Sequence, residues 1–425
     1  IDDPQRIPEV VARAFHVAMQ GRPGPVVISL PEDMLVETAS VTDALRVEAA
    51  QAAPGATELA RLGELLAQAK RPIAILGGSG WTKEACAQFR AFAEAFDLPV
   101  AASFRRTMLF DAEHANYAGE LSLGANPALV KRVQTADLVL LIGGRLAEVP
   151  SQAYTLLDVP VPRQRLVHVH ADPAELGRVY QATLAINATP QGFCDTLSTL
   201  ASPKTIPWSA ETKAARADYL AFSGLDAPVP GDVQLNTIML WLRQRLPADA
   251  IVTNGAGNYT TWLGRYLRIR QFDGLLAPVS GSMGYGLPAA VGAKRLHPER
   301  MVVSFAGDGC FLMNGQEFAT AVQYDLPIVV VVIDNGMYGT IRMHQEREYP
   351  GRVSATLLNS PDFAALARAY GGHGESVVKT DEFAPAFERA VAAHKPAIVH
   401  VKIDRDAITP ATTLTKIREA ALKGR

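Results

Sequence analysis

Two glycine-flanked turns, Gly307-Asp308-Gly309 and Asp334-Asn335-Gly336, constrain this chain more than any other feature, because each stands at the end of an apolar, β-branched run. Residues 302–306 read as a buried strand that stops at the first turn. Residues 315–324 have helical spacing, and residues 328–333 form a second strand that stops at the second turn. Strand, helix and strand in that order make a right-handed βαβ unit. Such a unit sets Asp308 and Asn335 side by side at the carboxyl edge of a parallel sheet, where these folds take their ligands. One carboxylate and one amide oxygen suit a hard ion such as Mg2+ that completes its shell with phosphate and water. The glycines let backbone approach phosphate oxygens, and the start of the following helix adds N–H donors and partial positive charge. The expectation is a metal–diphosphate site.

The spacing resembles the cofactor signature of thiamine diphosphate (ThDP) enzymes, glycine-aspartate-glycine followed about 27 residues later by asparagine. In that family the aspartate, the asparagine and a backbone carbonyl two residues further on hold Mg2+, which carries over to Asp308, Asn335 and Met337. The family usually has two asparagines in a row where this chain has Asp334 then Asn335, a departure at the position that is not a ligand. The run from Gly281 through Ser282, Met283 and Gly284 to Ala290 resembles the family's loop-to-helix segment in front of the cofactor. There Gly281 and Ser282 would contact the diphosphate. Met283 would prop the thiazolium, so that the cofactor bends and its aminopyrimidine reaches the C2 proton; core packing is the plainer role for that side chain. Asn254-Gly255-Ala256-Gly257-Asn258-Tyr259 ends a strand at 251–253 and resembles the family's first diphosphate-binding turn. Asn258 and Tyr259 stand at its contact positions, or serve simply as turn residues. Gly307, Gly309 and Cys310 complete the cofactor set, Cys310 through its backbone N–H rather than as a nucleophile.

Composition bounds the alternatives. The 425 residues, 48% hydrophobic and 20% charged, can bury cores for two or three domains. A net charge of −2 shows no basic excess, so neither nucleic acid nor an anionic membrane is an expected partner. Three widely spaced cysteines argue for a reducing, cytoplasmic setting and against a disulfide frame or a zinc cluster. The nine histidines show no metal-ligand spacing, and no apolar run is long enough to cross a bilayer. The sequence begins at Ile1 rather than methionine, so the lack of a signal peptide carries no information.

Along the chain, residues 7–19 have helical spacing. A Gly21-Arg22-Pro23-Gly24-Pro25 turn follows, and residues 26–30 read as one buried strand. One helix and one strand cannot bury their own faces, and residues 1–35 resemble the closing element of the pyrimidine-binding domain of acetolactate-synthase-like ThDP enzymes. An alanine-rich linker covers 49–56. A central α/β domain is expected over 57–202, with strands at 73–76, 99–102, 138–142 and 166–169 and helices such as 59–69 and 83–96. Gly77-Gly78-Ser79-Gly80 lacks the full dinucleotide fingerprint and reads as a tight strand-to-helix turn. His168, His170 and Asp172 read as a satisfied structural cluster. A connection over 203–232 carries a helix at 211–222. The ThDP diphosphate- and Mg-binding domain follows at 233–404, closing on a strand at 397–402, and the tail 405–425 includes a basic helical stretch at 413–423. The fold class is thus α/β, two doubly wound parallel-sheet domains preceded by a remnant of a third.

The resemblance implies a ThDP- and Mg2+-dependent 2-keto acid decarboxylase or carboligase of the acetolactate-synthase-like group, acting as a homodimer or homotetramer. In acetolactate synthases the central domain carries FAD. Here the turn Gly143-Gly144-Arg145-Leu146-Ala147-Glu148 lacks the paired acidic residues of the FAD-binding members, so the balance is against FAD. The family's catalytic glutamate belongs to the pyrimidine-binding domain, and neither Glu9 nor Glu32 matches it. This chain is therefore expected to be a truncated form without turnover of its own, and no catalytic residue is assigned within it. For the substrate, Tyr338, Arg342, His344 and Gln345 follow the metal loop as candidate contacts, with packing or surface roles equally open. The competing readings are a nicotinamide- or flavin-dependent oxidoreductase and a non-catalytic ThDP-binding scaffold.

Overall fold

The structure, a computed structural model, describes residues 1–424. Contacts group the chain into two compact units, residues 1–103 with 130–214 and residues 104–129 with 215–425.

The first unit is built on β1 (Pro72–Leu76), β2 (Val100–Ser103), β4 (Leu138–Ile142), β5 (Arg165–His170) and β6 (Leu184–Asn187); β3 (Tyr117–Leu121) lies in the 104–129 segment grouped with the other unit. The strands run in the order β2-β1-β4-β5-β6, all parallel. Every residue of β1 and β4 is buried, which is why both read as unbroken apolar runs: a parallel sheet is covered on both faces. The helices Ala56–Ala67 and Lys83–Ala95 turn Leu62, Leu65, Leu66, Phe89 and Phe92 inward. Thr82 caps the second by accepting from the Ala85 N–H.

The glycine turn after β1 is structural. Gly78 has φ +72°, and a Cβ there would sit 1.7 Å from the Gly143 carbonyl oxygen, so the ends of β1 and β4 close on each other with no room for a side chain. His168 meets the Gly144 carbonyl at 2.9 Å and burial pushes its imidazole down to about 4, so it stays neutral at physiological pH. His170 accepts from the Asp172 N–H at 3.0 Å, and Asp172 itself caps Ala174. The cluster is structural, as expected, but not fully satisfied: His168 Nδ1 is buried without a partner among the described residues.

One expectation fails near the start of the chain. The helix Ile7–Met19 forms, but residues 26–30 are not a strand, and Val27 is 94% exposed. A strand exists only where a neighbour takes up its N–H and C=O groups. This segment has the composition for one, but none of the described strands pairs with it.

The second unit contains β7 (Ile251–Asn254), β8 (Leu275–Leu276), β9 (Val302–Gly307), β10 (Val329–Asp334), β11 (His373–Val377) and β12 (Ala397–Lys402). Their order is β11-β12-β10-β9-β7-β8, again all parallel. The helix between β9 and β10 differs from the 315–324 reading. Asp308–Asn314 is already helical, with Gly307 as its N-cap, and Glu317–Gln323 forms a separate helix. β11 escapes sequence reading because it is a half-buried edge strand containing glycine and glutamate.

The tail ends in the helix Leu414–Lys423, fastened to the helix Gly339–Glu348. Arg418 grips Glu346 with two hydrogen bonds of 2.7 and 2.8 Å, and Arg342 and the Gly351 N–H donate to the same carboxylate. Arg342 is therefore a buried structural cation, 6% exposed, and not a surface charge. Leu414, Ile408 and Met337 pack together beside this network.

The hydrogen bonds from Arg418 outweigh burial and hold the Glu346 carboxyl down to about 2. A carboxyl depressed in the folded state contributes stability that is full above its ordinary value of 4.5 and lost as pH falls toward 2. Hydrogen-exchange protection across 414–423, measured against the intrinsic rate at each pH, should fall as pH drops through that window. Glu346→Gln should loosen the tail at neutral pH and remove the pH dependence, costing about 3 kcal/mol above pH 4.5 because Arg342 is left buried and unpaired. A tail that exchanges equally in both proteins would contradict this attachment.

Candidate functional site

The register of the second sheet builds the site. Ile333 pairs with Gly307 across β10 and β9, so Asp308 and Asn335 emerge from adjacent strands at the same carboxyl edge. A cavity of about 220 Å³ opens there. Of the residues expected to bind cofactor or metal, Asn258, Tyr259, Gly281, Met283, Gly307, Asp308, Gly309, Cys310, Asn335 and Met337 all line it. Residues up to 79 positions apart in sequence (Asn258 to Met337) are thus brought together by strand order.

Ser282 stands apart from the lining. It is exposed, and its hydroxyl pairs with Ser280 at 2.8 Å. Tyr259 faces the cavity but spends its hydroxyl elsewhere: it accepts from the Gly255 N–H at 3.0 Å and donates to the Phe305 carbonyl at 3.2 Å. Burial and the adjacent Cys310 push that phenol well above its ordinary range, so Tyr259 acts as a neutral pin for the 255–259 turn. The Cys310 thiol accepts from the Gly284 N–H at 3.3 Å, tying the 281–284 loop to the helix that starts at Asp308. Asn258 accepts from Thr340 at 2.9 Å and reaches Met343 with its amide nitrogen.

Of the four candidate substrate contacts, only Tyr338 lines the cavity. Arg342 is locked to Glu346, His344 meets Arg347 at 3.1 Å on an exposed face, and Gln345 donates to the Ser354 carbonyl at 2.7 Å. The wall opposite the turns is apolar, formed by Ile341, Ile403, Ala407 and Ile408. Three of these belong to the segment that follows β12, in line with the covering role that resemblance to related enzymes offers for such a tail.

Behind the cavity lies a polar cluster that sequence reading missed. Asp308 is 3% exposed and accepts from the Met337 N–H at 3.2 Å and from the Ser360 hydroxyl at 3.1 Å. Ser360 also reaches Asp334 at 2.9 Å. His400, on β12, meets the other oxygen of Asp334 at 2.8 Å, and the Gly336 N–H donates to the first. Burial, then the neighbouring Asp334, pushes the Asp308 carboxyl up. Burial works the same way on Asp334, but its hydrogen bonds with His400, Asp308 and Gly336 win and hold it down. Two carboxyl groups this close do not both ionise unaided, and a divalent cation in place of the proton between them would neutralise both. Among the described residues no group of three or more His, Cys, Asp or Glu is arranged to hold a metal by itself. A cation here would draw its remaining ligands from the Asn335 amide, the Met337 carbonyl, phosphate and water, so the residues present fit a metal–diphosphate group.

Comparison with known proteins agrees with this geometry. Residues 255–401 match the thiamine pyrophosphate enzyme C-terminal TPP binding domain, and residues 59–200 match the central domain of the same enzymes. The acetolactate synthase large subunit of Parasynechococcus marenigrum is 31% identical over 95% of this chain and 67% of its own length. Acetolactate synthase isozyme 2 large subunit of Escherichia coli is 29% identical, over 94% of this chain and 72% of its own length. A sulfoacetaldehyde acetyltransferase of Alcaligenes xylosoxydans xylosoxydans is 28% identical, over 92% of this chain and 69% of its own length. The crystal structure of benzoylformate decarboxylase from Polynucleobacter necessarius superposes with a TM-score of 0.77 over 95% of this chain and 75% of that one, at 22% identity, a likeness of fold. With both domains matched and a relative 31% identical over 67% of its own length, this chain belongs to the thiamine pyrophosphate enzyme family.

Proposed function

We propose that this chain forms the diphosphate- and Mg2+-binding half of a 2-keto acid decarboxylase or carboligase of the acetolactate-synthase-like group. One observation carries the reading: Asp308, Asn335 and Met337, from three positions around two strand ends, line a single cavity with the 255–259 and 281–284 turns. ThDP, when bound, supplies a carbon nucleophile and an electron sink for the pair released as CO2 leaves.

The chain's own residues then have separable roles. Asp308, Asn335 and the Met337 carbonyl hold the cation, and the cation holds the diphosphate. Met283 supports the thiazolium side of the cofactor. The apolar wall of Ile341, Ile403, Ala407 and Ile408 surrounds the remaining space with groups that do not solvate a carboxylate, which favours loss of CO2 over retention of the ionised acid. Among the described residues Asp308 is the one acidic side chain lining this cavity, and no Lys, Arg or His lines it. With Asp308 committed to the cation, the group that exchanges protons with the cofactor and the partner for a substrate carboxylate both come from outside this set. That supports the further proposal that a glutamate from a pyrimidine-binding domain completes the centre, and that the 425 residues alone bind cofactor without sustained turnover. A dimer is the corresponding assembly. Tyr285, Leu312 and Met313 are exposed apolar side chains on and beside the loop that carries Met283, which supports a protein surface covering this edge.

Asp308→Asn should weaken Mg2+-dependent ThDP binding by more than about tenfold, seen by calorimetry, because the cation loses its one fully charged ligand. Unchanged affinity would remove Asp308 from the site. Met283→Ala should leave that affinity within about threefold. In an assembly with turnover it should lower kcat by about tenfold or more, the pattern of a group that orients rather than binds. A rise in KM alone would assign Met283 to substrate packing.

A further inference from the structure

Asp334 stands where the family usually has a second asparagine, and its surroundings show a use for the carboxylate. It is 8% exposed. One oxygen accepts from the Gly336 N–H at 2.8 Å and lies 2.9 Å from the Ser360 hydroxyl, whose single proton serves either Asp334 or Asp308, and the other faces His400 Nε2 at 2.8 Å. The first contact closes the turn that carries Asn335 and the Met337 carbonyl. At its centre Gly336 has φ +62°, in the left-handed region, and the Arg405 guanidinium lies 3.0 Å from where a Cβ would be. The turn therefore owes its shape to Asp334. Asp334 in turn is oriented from behind by His400, which is 1% exposed, rises from the middle of β12 and packs edge-on against Phe363 at 5.0 Å. A carboxylate facing His400 Nε2 requires the N–H on that nitrogen, which leaves Nδ1 turned into the core with no partner. A buried histidine that forgoes one hydrogen bond to make another is held there for the bond it makes.

We propose that His400, with Ser360, is a positioning residue for the cation site: it fixes Asp334, and through it the turn presenting Asn335 and Met337, in the geometry the cation requires. This rests on the reading of Asp308, Asn335 and Met337 as a cation site. Donor and acceptor, rather than the identity of the two residues, are what the arrangement needs. A donor on β12 facing an acceptor at 334 is equivalent to an acceptor on β12 facing an asparagine at 334.

The test is Mn2+ affinity of the full chain in the presence of ThDP, followed by the electron paramagnetic resonance of free Mn2+, with folding checked by thermal melting. His400→Leu should weaken Mn2+ binding by about tenfold or more, the range seen when a partner of a metal ligand is removed. His400→Gln, which keeps an N–H facing Asp334, should stay within about threefold of the parent. The exchanged pair Asp334→Asn with His400→Glu should also recover, whereas His400→Glu alone, two carboxylates face to face, should not. Parent-like binding by His400→Leu would overturn the proposal, and so would equal losses in the leucine, glutamine and exchanged variants, which would mark His400 as packing alone. Should His400→Leu not fold, the exchanged pair decides: retained affinity supports the proposal and a loss as deep as that of Asp308→Asn overturns it. If the parent and Asp308→Asn bind Mn2+ alike, the cation reading itself fails, and the inference with it.

Discussion

The parallel pairing of β9 with β10 is the constraint on which the rest depends. Because Ile333 lies opposite Gly307, the residues that follow each strand leave the sheet at the same height and on the same edge. Two polar side chains about 27 positions apart thereby become neighbours with no contact of their own to hold them together. The energy that fixes them comes from the core beneath. β9 and β10 are buried along their lengths apart from Gly307, and a one-residue slip of either would turn its buried side chains to the opposite face of the sheet. A site that could not assemble itself, two carboxylates repelling each other in a buried setting, is imposed by strands that have no other way to pack.

That division also explains which parts of the molecule carry charge. Among the described residues the cavity is lined by glycines, apolar side chains and uncharged polar groups such as Asn258, Asn335 and Thr340, with Asp308 as its single carboxylate. The compensating groups sit one layer behind: His400 and Ser360 for Asp334, and Arg342 and Arg418 for Glu346. Both networks bear on the Met337 turn, one through Asp334 and the other through the tail helix whose Leu414 packs with Met337 and Ile408. The loop expected to hold the cation is thus clamped from two sides by buried hydrogen-bonded contacts, an arrangement whose value lies in fixed geometry rather than in net stability.

Much of this was legible in the sequence because it rests on short-range patterns. The predominantly apolar strands β4, β9, β10 and β12 declare themselves by composition, and turns that need glycine declare themselves by glycine. What stayed hidden depends on long-range pairing. His400 reads as an interruption in an apolar strand until β12 is known to lie beside β10. Ser360, in a loop with no periodicity, carries no signal at all. Arg342 and Glu346 look like one more charged pair on a helix surface, and only the docking of Arg418, 72 positions after Glu346, buries them. Residues 26–30 failed in the opposite sense. Their local pattern asks for a strand, but strand formation is a property of pairs, and the partner is not a local property.

The most direct test of the central claim is a crystal of the chain grown with Mn2+ and ThDP, with the metal located by its anomalous scattering. The account predicts one peak within about 2.2 Å of an Asp308 carboxylate oxygen, the Asn335 side-chain oxygen and the Met337 carbonyl, with diphosphate oxygens completing the shell. A metal bound elsewhere, or a diphosphate seated in the cavity with no metal between it and Asp308, would contradict it.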